Sequence, residues 1–542
     1  MFISSLRLPV LSSFIIAHLI FTPTICSAEK LAASNEASEA RSNESNIVST
    51  GIKTNAQTSD FQTDLTSESN KNNKKGNLTP KKDALPEKNS PSSSKITNPS
   101  GAFAIPGNPG ADNVITGTGK LGELINIPQD SGVRLGGIWI GQMDTLMSGN
   151  SLTNNFLRQK GGGAGDVIFD QLALLDLQLD MEKIVGLHGA SFGSSFLWFD
   201  GQNNNYRAGV LTGYNGLSET GPSYNRVELY QLWWRQSLFD DKWIFRVGKS
   251  IPTFDFNNVT RRLPLEGEKQ YVSAVTALLF TPIFVNPSIL GVMPGYWNSA
   301  WGVTTTVAPN TSFYASYGIY DGSLALGRQT GTVAGPNFSN YFTIGELGTS
   351  WVGDYPGKFA VGGWGQSGTL KEYWQGAPCS SAICQSGAAG IYADATNRLH
   401  TLSRPDGSGI FIGYIQYGIN NSKTMLVNEF VGGGITGLGL IPGRTKDTMG
   451  FGVANSWTNG PSNKGIGYLP YPGTSKPRTE TILQIYYQAN VWGDIFVQPT
   501  ISYVPHPASP MQYDASTKPP SQNFYYYGSS ASSFILQLVA LF

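Results

Sequence analysis

The chain has 542 residues, long enough for several soluble domains or for one large closed barrel, so length alone decides nothing. Lys and Arg total 37 and so do Asp and Glu, a net charge of zero that argues against a nucleic-acid partner, which asks for a basic excess. Charged residues make up only 14 % of the chain against 12 % aromatics, and the 64 glycines punctuate the strands read below.

The first residues predict an export signal over 1–28. Arg7 supplies the positive start, Leu8 to Ile20 a short apolar core, and Cys26-Ser27-Ala28 a small-residue cleavage site before Glu29. His18, Pro23 and the neighbouring Thr and Ser residues cut the apolar stretch below the ~20 residues of a spanning helix. Cys26 is not set in a lipobox, which argues against a lipid anchor.

Residues 29–115 predict a disordered polar extension and linker. From Glu29 to about Ser100 the chain is rich in Ser, Asn, Lys, Thr and Glu, with Phe61 as its one aromatic residue. Such a stretch buries too little apolar surface to offset its ordering entropy. A spacer or tether is one use for it; a tail with no specific partner is the plainer one.

From Arg134 onward short runs alternate with period two between Gly, Asn, Asp and Pro breaks. In ETILQIYYQAN, Thr481, Leu483, Ile485, Tyr487 and Ala489 share one face, with Glu480, Gln484, Gln488 and Asn490 on the other. Leu175, Leu177 and Leu179 oppose Asp176, Gln178 and Asp180; Leu232 and Trp234 oppose Trp233 and Arg235; Phe245 and Val247 oppose Arg246. A strand with one apolar and one polar face separates lipid from a wet lumen.

Sixteen stretches qualify as strands, near 134–143, 166–180, 186–199, 226–238, 242–250, 271–280, 299–308, 311–320, 342–352, 357–366, 409–418, 424–433, 447–457, 478–490, 493–504 and 533–542. Bacterial barrels use even strand numbers, and spanning strands need roughly 9–11 residues. The expectation is an all-β fold: a transmembrane antiparallel β-barrel of about sixteen strands over 116–542. Its longer connections, such as 250–270, 370–408 and 505–530, read as extracellular loops or lumen-folded constrictions. The last strand, FILQLVALF, stops at Phe542 and so sets a ring at the bilayer interface.

After cleavage only Cys379 and Cys384 remain, close together in APCSSAICQSG, and a loop-stapling disulfide is expected in an oxidising compartment. A structural zinc needs about four ligands, and no His lies near, so no metal and no cofactor are expected. Gly189-Ala190-Ser191-Phe192-Gly193 fits a nucleophile-elbow spacing, but that motif needs a strand-to-helix turn and SSFLWFD reads as strand. Gly117, Gly119 and Gly122 match a dinucleotide spacing with no βαβ unit around it. No catalytic residue is assigned and no enzyme is expected.

With these residues in hand, the chain resembles the carbohydrate-selective porins of the OprB family from about Gly117 to Phe542. The resemblance rests on FDQLALLDLQLDMEKIVGLHGASF (Phe169–Phe192), ELYQLWWRQSLFDDKWIFRVGKSIPTFDF (Glu228–Phe256), ETILQIYYQANVWGDIFVQPTISYVPHP (Glu480–Pro507) and the final Phe542. It includes Arg246-Val247-Gly248-Lys249, the family's strand, acidic turn and R-x-G-K pattern. The approach TGTGKLGELINIPQDSGVRLGGIWIG departs from the tryptophan- and glycine-rich form common there. What the resemblance implies is a bacterial outer-membrane porin with a narrowed lumen, passing small neutral, glucose-like sugars by passive diffusion. Its other partners would be outer-membrane lipid and, because related barrels often form trimers, two further copies in a homotrimer.

Sugars present hydroxyl groups around apolar C–H faces, so a selective channel needs planar donors and acceptors with aromatic surface and only weak binding. Parity gives the inward candidates Asp176, Asp180, Trp233, Arg235, Arg246, Glu480, Gln484 and Gln498. The plainer reading of each is a wall residue of a wet pore or a buried ion-pair partner. A general size-limited porin is the nearest rival; an outer-membrane hydrolase using Ser191 and a secreted soluble sugar binder stand further off.

Overall fold

In a computed structural model the described residues are 104–105, 108–112, 118–149, 164–202, 204–215, 217, 225–257, 286, 288–289, 299–322, 338–351, 353–371, 384–403, 409–425, 427–458, 479–508, 511–512, 525–526 and 530–542. The export signal and most of the polar extension therefore lie outside them.

Sixteen strands close into one barrel: β1 (Val133–Ser148), β2 (Val167–Asp180), β3 (Ala190–Asp200), β4 (Asn225–Leu238), β5 (Trp243–Ser250), β6 (Ala300–Val307), β7 (Phe313–Asp321), β8 (Tyr341–Trp351), β9 (Gly357–Lys371), β10 (Cys384–Thr401), β11 (Ile410–Asn420), β12 (Val427–Leu438), β13 (Thr448–Thr458), β14 (Thr479–Trp492), β15 (Ile495–Val504) and β16 (Ala531–Leu541). Each strand pairs antiparallel with its neighbour in sequence, and β16 closes on β1 with Leu538 opposite Gly141. No sheet edge is left in the hydrocarbon region, where an unpaired backbone group costs several kcal/mol, roughly.

The two faces divide as the alternation predicts. Along β2, Phe169 and Leu175 face outward at 52 % and 40 % exposure, while Asp170, Leu172, Leu174 and Asp176 are buried inward. Along β14, Ile485 is outward at 55 % and Glu480, Gln484 and Gln488 are buried. An apolar outer band around a polar interior is what a bilayer on one side and pore water on the other select. Among the described residues no helix is long and apolar enough to cross a membrane. The inner wall is not wholly polar: Ile138, Ile140, Leu172, Leu174, Leu197, Phe199 and Trp233 form an apolar patch across β1 to β4.

Two details differ from expectation while the strand number stands. The stretch 271–280 lies outside the described residues, and β5 pairs directly with β6, with Arg246 opposite Thr304, so the barrel closes without it. In its place β10 runs through residues expected to be a loop. Its outward positions include Ala393 and Ala395, and Gly387 and Gly390 interrupt it, so the apolar signal is faint; Tyr392, Asp394 and Thr396 carry the inner face.

The connections that share an end with Val133 and Leu541 are the shorter ones, such as 239–242 and 493–494; the longest, 251–299, is at the other end. In outer-membrane barrels the short turns face the periplasm and the long loops the outside. At the short-turn end a small helix, α1 (Lys120–Leu124), precedes β1. Thr118 N–H and Gly137 N–H both donate to the Phe542 carbonyl, at 3.1 and 2.7 Å, and Lys120 pairs with Asp494. This segment thus ties the closing seam. The extension expected to be disordered up to residue 115 also carries a hairpin, Ala104–Ile105 with Asn108–Asp112.

Candidate functional site

Two inward segments and the wall residues that hold them define the interior. The register of β3, β4 and β5 places Gly193 opposite Trp233, and Arg235 opposite Arg246. A Cβ at Gly193 would stand 2.2 Å from Trp233 Cζ2, so only glycine lets the indole lie flat on the wall there. The Arg246 guanidinium carbon sits 5.3 Å from the centre of that ring. Its Nη1 donates to Asp255 Oδ2 at 2.8 Å, with both side chains almost fully buried. Asp255 comes from the connection after β5, just past a single 3-10 turn at Pro252–Phe254, so the ion pair draws this loop into the barrel. Arg235 stands beside Arg246 and feels Asp180, Asp241 and Asp255.

Three strand steps round the barrel the same loop is caught again. Asn257 N–H donates to Glu346 Oε2 at 2.8 Å, and the Tyr392 and Tyr314 hydroxyls donate to Glu346 at 2.8 and 2.7 Å. Lys358 Nζ lies 5.1 Å from the Tyr314 ring centre. One carboxylate thus fixes a loop and two aromatic rings from β7 and β10.

The second segment, the connection after β3, holds a short helix, α3 (Asn204–Ala208), its label following α2 (Met181–Val185) in the turn after β2. Glu480 accepts from Leu211 N–H at 2.8 Å, Thr212 N–H at 2.7 Å, Thr212 Oγ1 at 2.5 Å and Ala508 N–H at 2.8 Å. Gln484 Nε2 donates to the Tyr214 carbonyl at 2.8 Å, and Asn215 Nδ2 to Asp144 Oδ2 at 2.6 Å. Gln202 N–H donates to Asp170 Oδ1 at 2.6 Å. Buried polar groups demand partners, and here the wall supplies acceptors for a loop that has no sheet of its own.

A family model described as carbohydrate-selective porin, OprB family, matches residues 169–517. The chain belongs to this family. Among solved structures, OprB of Pseudomonas putida at high pH is 18 % identical over 78 % of this chain and 98 % of that one, with a TM-score of 0.59. The low-pH form of the same protein gives 16 %, 78 %, 96 % and 0.45, and OmpT of Vibrio cholerae gives 10 %, 77 %, 99 % and 0.43. Comparison with curated proteins gives no match. The first of these likenesses supports the closed-barrel fold. The chain is a channel of the outer membrane, its solutes sugars.

Within this OprB-family porin, Trp233, Arg235 and Arg246 meet in one cluster, as their shared parity implied. Gln484 and Gln498 face inward and are buried, Gln498 donating to Thr500 Oγ1 at 3.2 Å. Asp176 is inward and within electrostatic reach of Arg134. Two further candidates are held by neighbouring segments. Glu480 is inward and fully buried under the loop it anchors. Asp180 ends β2 and turns its carboxylate to cap α2, accepting from Glu182 and Lys183 N–H at 3.1 and 3.3 Å. Glu346, Tyr314, Tyr392 and Asp144 were not singled out, although the alternation in YFTIGELGTSW puts Glu346 on the inner face. Cys384 begins β10 and is disulfide-bonded, while Cys379 lies outside the described residues. Ser191 lies within β3, opposite Asp180 and Arg235, with no elbow around it.

Replacing Gly193 with Val drives the Trp233 ring off the wall. Overpacking of this kind costs about 1–3 kcal/mol. The expected outcome is a barrel that still folds, with a lower thermal midpoint and altered sugar permeation in liposomes; unchanged permeation would remove Trp233 from the pathway.

At the periplasmic turn, Glu182 accepts a hydrogen bond from His188 Nδ1 at 3.0 Å. The bond raises the His188 pKa above its ordinary 6.5 and, with the Gly189 N–H, lowers that of Glu182 below 4.5. The stabilising charge pair is therefore fully present between about pH 4.5 and 6.5. It is lost as pH rises through the raised His188 value or falls through the depressed Glu182 value. NMR titration of His188 is expected to show the upward shift, and Glu182→Gln to reduce it, the smaller pull of Asp240 and Asp241 remaining.

Proposed function

We propose that this porin carries out passive, substrate-biased diffusion of small neutral, glucose-like sugars into the periplasm. The observation that supports it best is the polar inner face narrowed by inward loops, one of them fastened by the buried Trp233–Arg246–Asp255 cluster. Planar amide, carboxylate and guanidinium groups on such a face exchange hydrogen bonds with sugar hydroxyls. The cluster is already internally paired, so such contacts stay weak, as release on the far side requires. Asp176, Arg235, Gln484 and Gln498 take supporting places along the same inner wall. No catalytic step is assigned.

The proposal extends to export through the signal over 1–28, to the polar extension from Glu29 as a spacer, to a Cys379–Cys384 disulfide and to a homotrimer. Mass measurement of the mature, detergent-purified protein under native, non-reducing conditions checks the cleavage, the disulfide and the trimer. Liposome swelling tests the solute preference: glucose-like sugars should enter faster than amino acids of similar size. Entry ordered by size alone would reduce the protein to a general porin, the second reading, favoured only by the polar stretches of the inner wall.

A further inference from the structure

The hairpin Ala104–Ile105 with Asn108–Asp112 packs against β6, β7 and β8. Six residues later in the chain, Thr118 is bonded to the Phe542 carbonyl at the seam between β16 and β1. In the barrel order β6 lies five strand steps from β1, and β7 and β8 lie further still.

A chain spans at most ~3.6 Å per residue, so six residues reach roughly 22 Å. Five strand spacings of ~4.8 Å already make about 24 Å across the strands, and strand tilt and the outer radius lengthen that arc. A route around the outside is too long. The starting point is also inside the wall: a Cβ at Gly136 would stand 2.8 Å from Gly119 N, and Gly136 shares the inward parity of Ile138, Ile140 and Gln142. On the lumen side of the wall the path between the two described ends, Asp112 and Thr118, is shorter and comes within that reach. The sequence of the hairpin agrees, since its proline- and glycine-broken backbone is tolerated at membrane depth only where it lines a water-filled cavity.

We propose that residues 104–112 form a hairpin inside the barrel, against the inner face of β6 to β8, and act as a specificity-determining element that narrows the sugar pathway. This rests on the channel reading given above. The pore's size limit is then set partly by a segment that is not part of the barrel wall.

Three measurements on the full mature chain test it. Deleting 104–112 should raise single-channel conductance and admit larger sugars. Asn108→Asp and Asn108→Lys should shift the reversal potential in a salt gradient in opposite directions, because a charge within the pore biases ion selectivity. Equal conductance, together with equal reversal potentials, would overturn the proposal. Photo-crosslinking from benzoylphenylalanine at Asn108 reads the placement without any current. Products within residues 300–351 support it, and adducts with lipid or detergent alone contradict it. A wild-type protein that carries no current while giving those crosslinks would sink the channel reading and leave the hairpin where it is placed.

Discussion

Glu480→Ala is expected to open the pore without unfolding the barrel. The carboxylate accepts three backbone N–H groups and one hydroxyl, from Leu211 and Thr212 in the loop after β3 and from Ala508 just past β15. Each buried donor left unmade costs about 1–3 kcal/mol, and since such terms do not add fully, the loss is about 4 kcal/mol. The strand ladder from β13 through β15 does not use this carboxylate, so the cost falls on the loop after β3. That loop should leave the wall near Leu211 and Thr212, raising conductance and admitting larger oligosaccharides. Glu480→Gln keeps one oxygen as acceptor but turns an amide N–H₂ toward donors, and should fall between wild type and Ala. Conductance and liposome entry of an oligosaccharide series measure it; three identical proteins would show that the loop does not limit passage.

Arg246→Ala has a different signature. It strands Asp255 at a site where the two side chains are only 5 % and 4 % exposed. Removing one partner of a buried pair costs about 3–5 kcal/mol, most of it the desolvated charge left behind. The loop around Asn257 should loosen and the preference for sugars over amino acids should fall, because the guanidinium beside Trp233 is gone. Arg246→Lys keeps the charge but loses the planar fork, so it should recover part of the thermal stability and little of the preference. Pairing Arg246→Met with Asp255→Leu removes both charges and should restore the thermal midpoint while leaving the preference lost. If the double variant regains the preference, the cluster is only a loop fastener.

What could be read from the chain follows from which forces act locally. Lipid and water sort alternate side chains, so most barrel strands announce themselves by parity, as in Leu483 and Ile485 against Gln484. The rule weakens where the outer face is small: Ala393 and Ala395 in β10 carry little apolar signal, and a cysteine-bearing, glycine-rich start made the stretch look like loop. Parity also says which way a side chain points but not what covers it. Glu480 and Gln484 point inward as expected, yet their partners near Leu211 and Tyr214 are about 270 positions away, and no local pattern joins them. Asp180 shows the converse, since the strand ends there and a helix cap claims its carboxylate. Glu346 was within reach of parity alone. Its significance lies in the tyrosines that converge on it from other strands, which only the closed register brings together.

Single-channel recording with a panel of solutes tests the whole account most directly. Glucose-like sugars should cause reversible, saturating reductions of ion current through the purified protein, and amino acids of matched size should not. Current that responds to every solute only in proportion to its size would contradict a sugar-biased pathway.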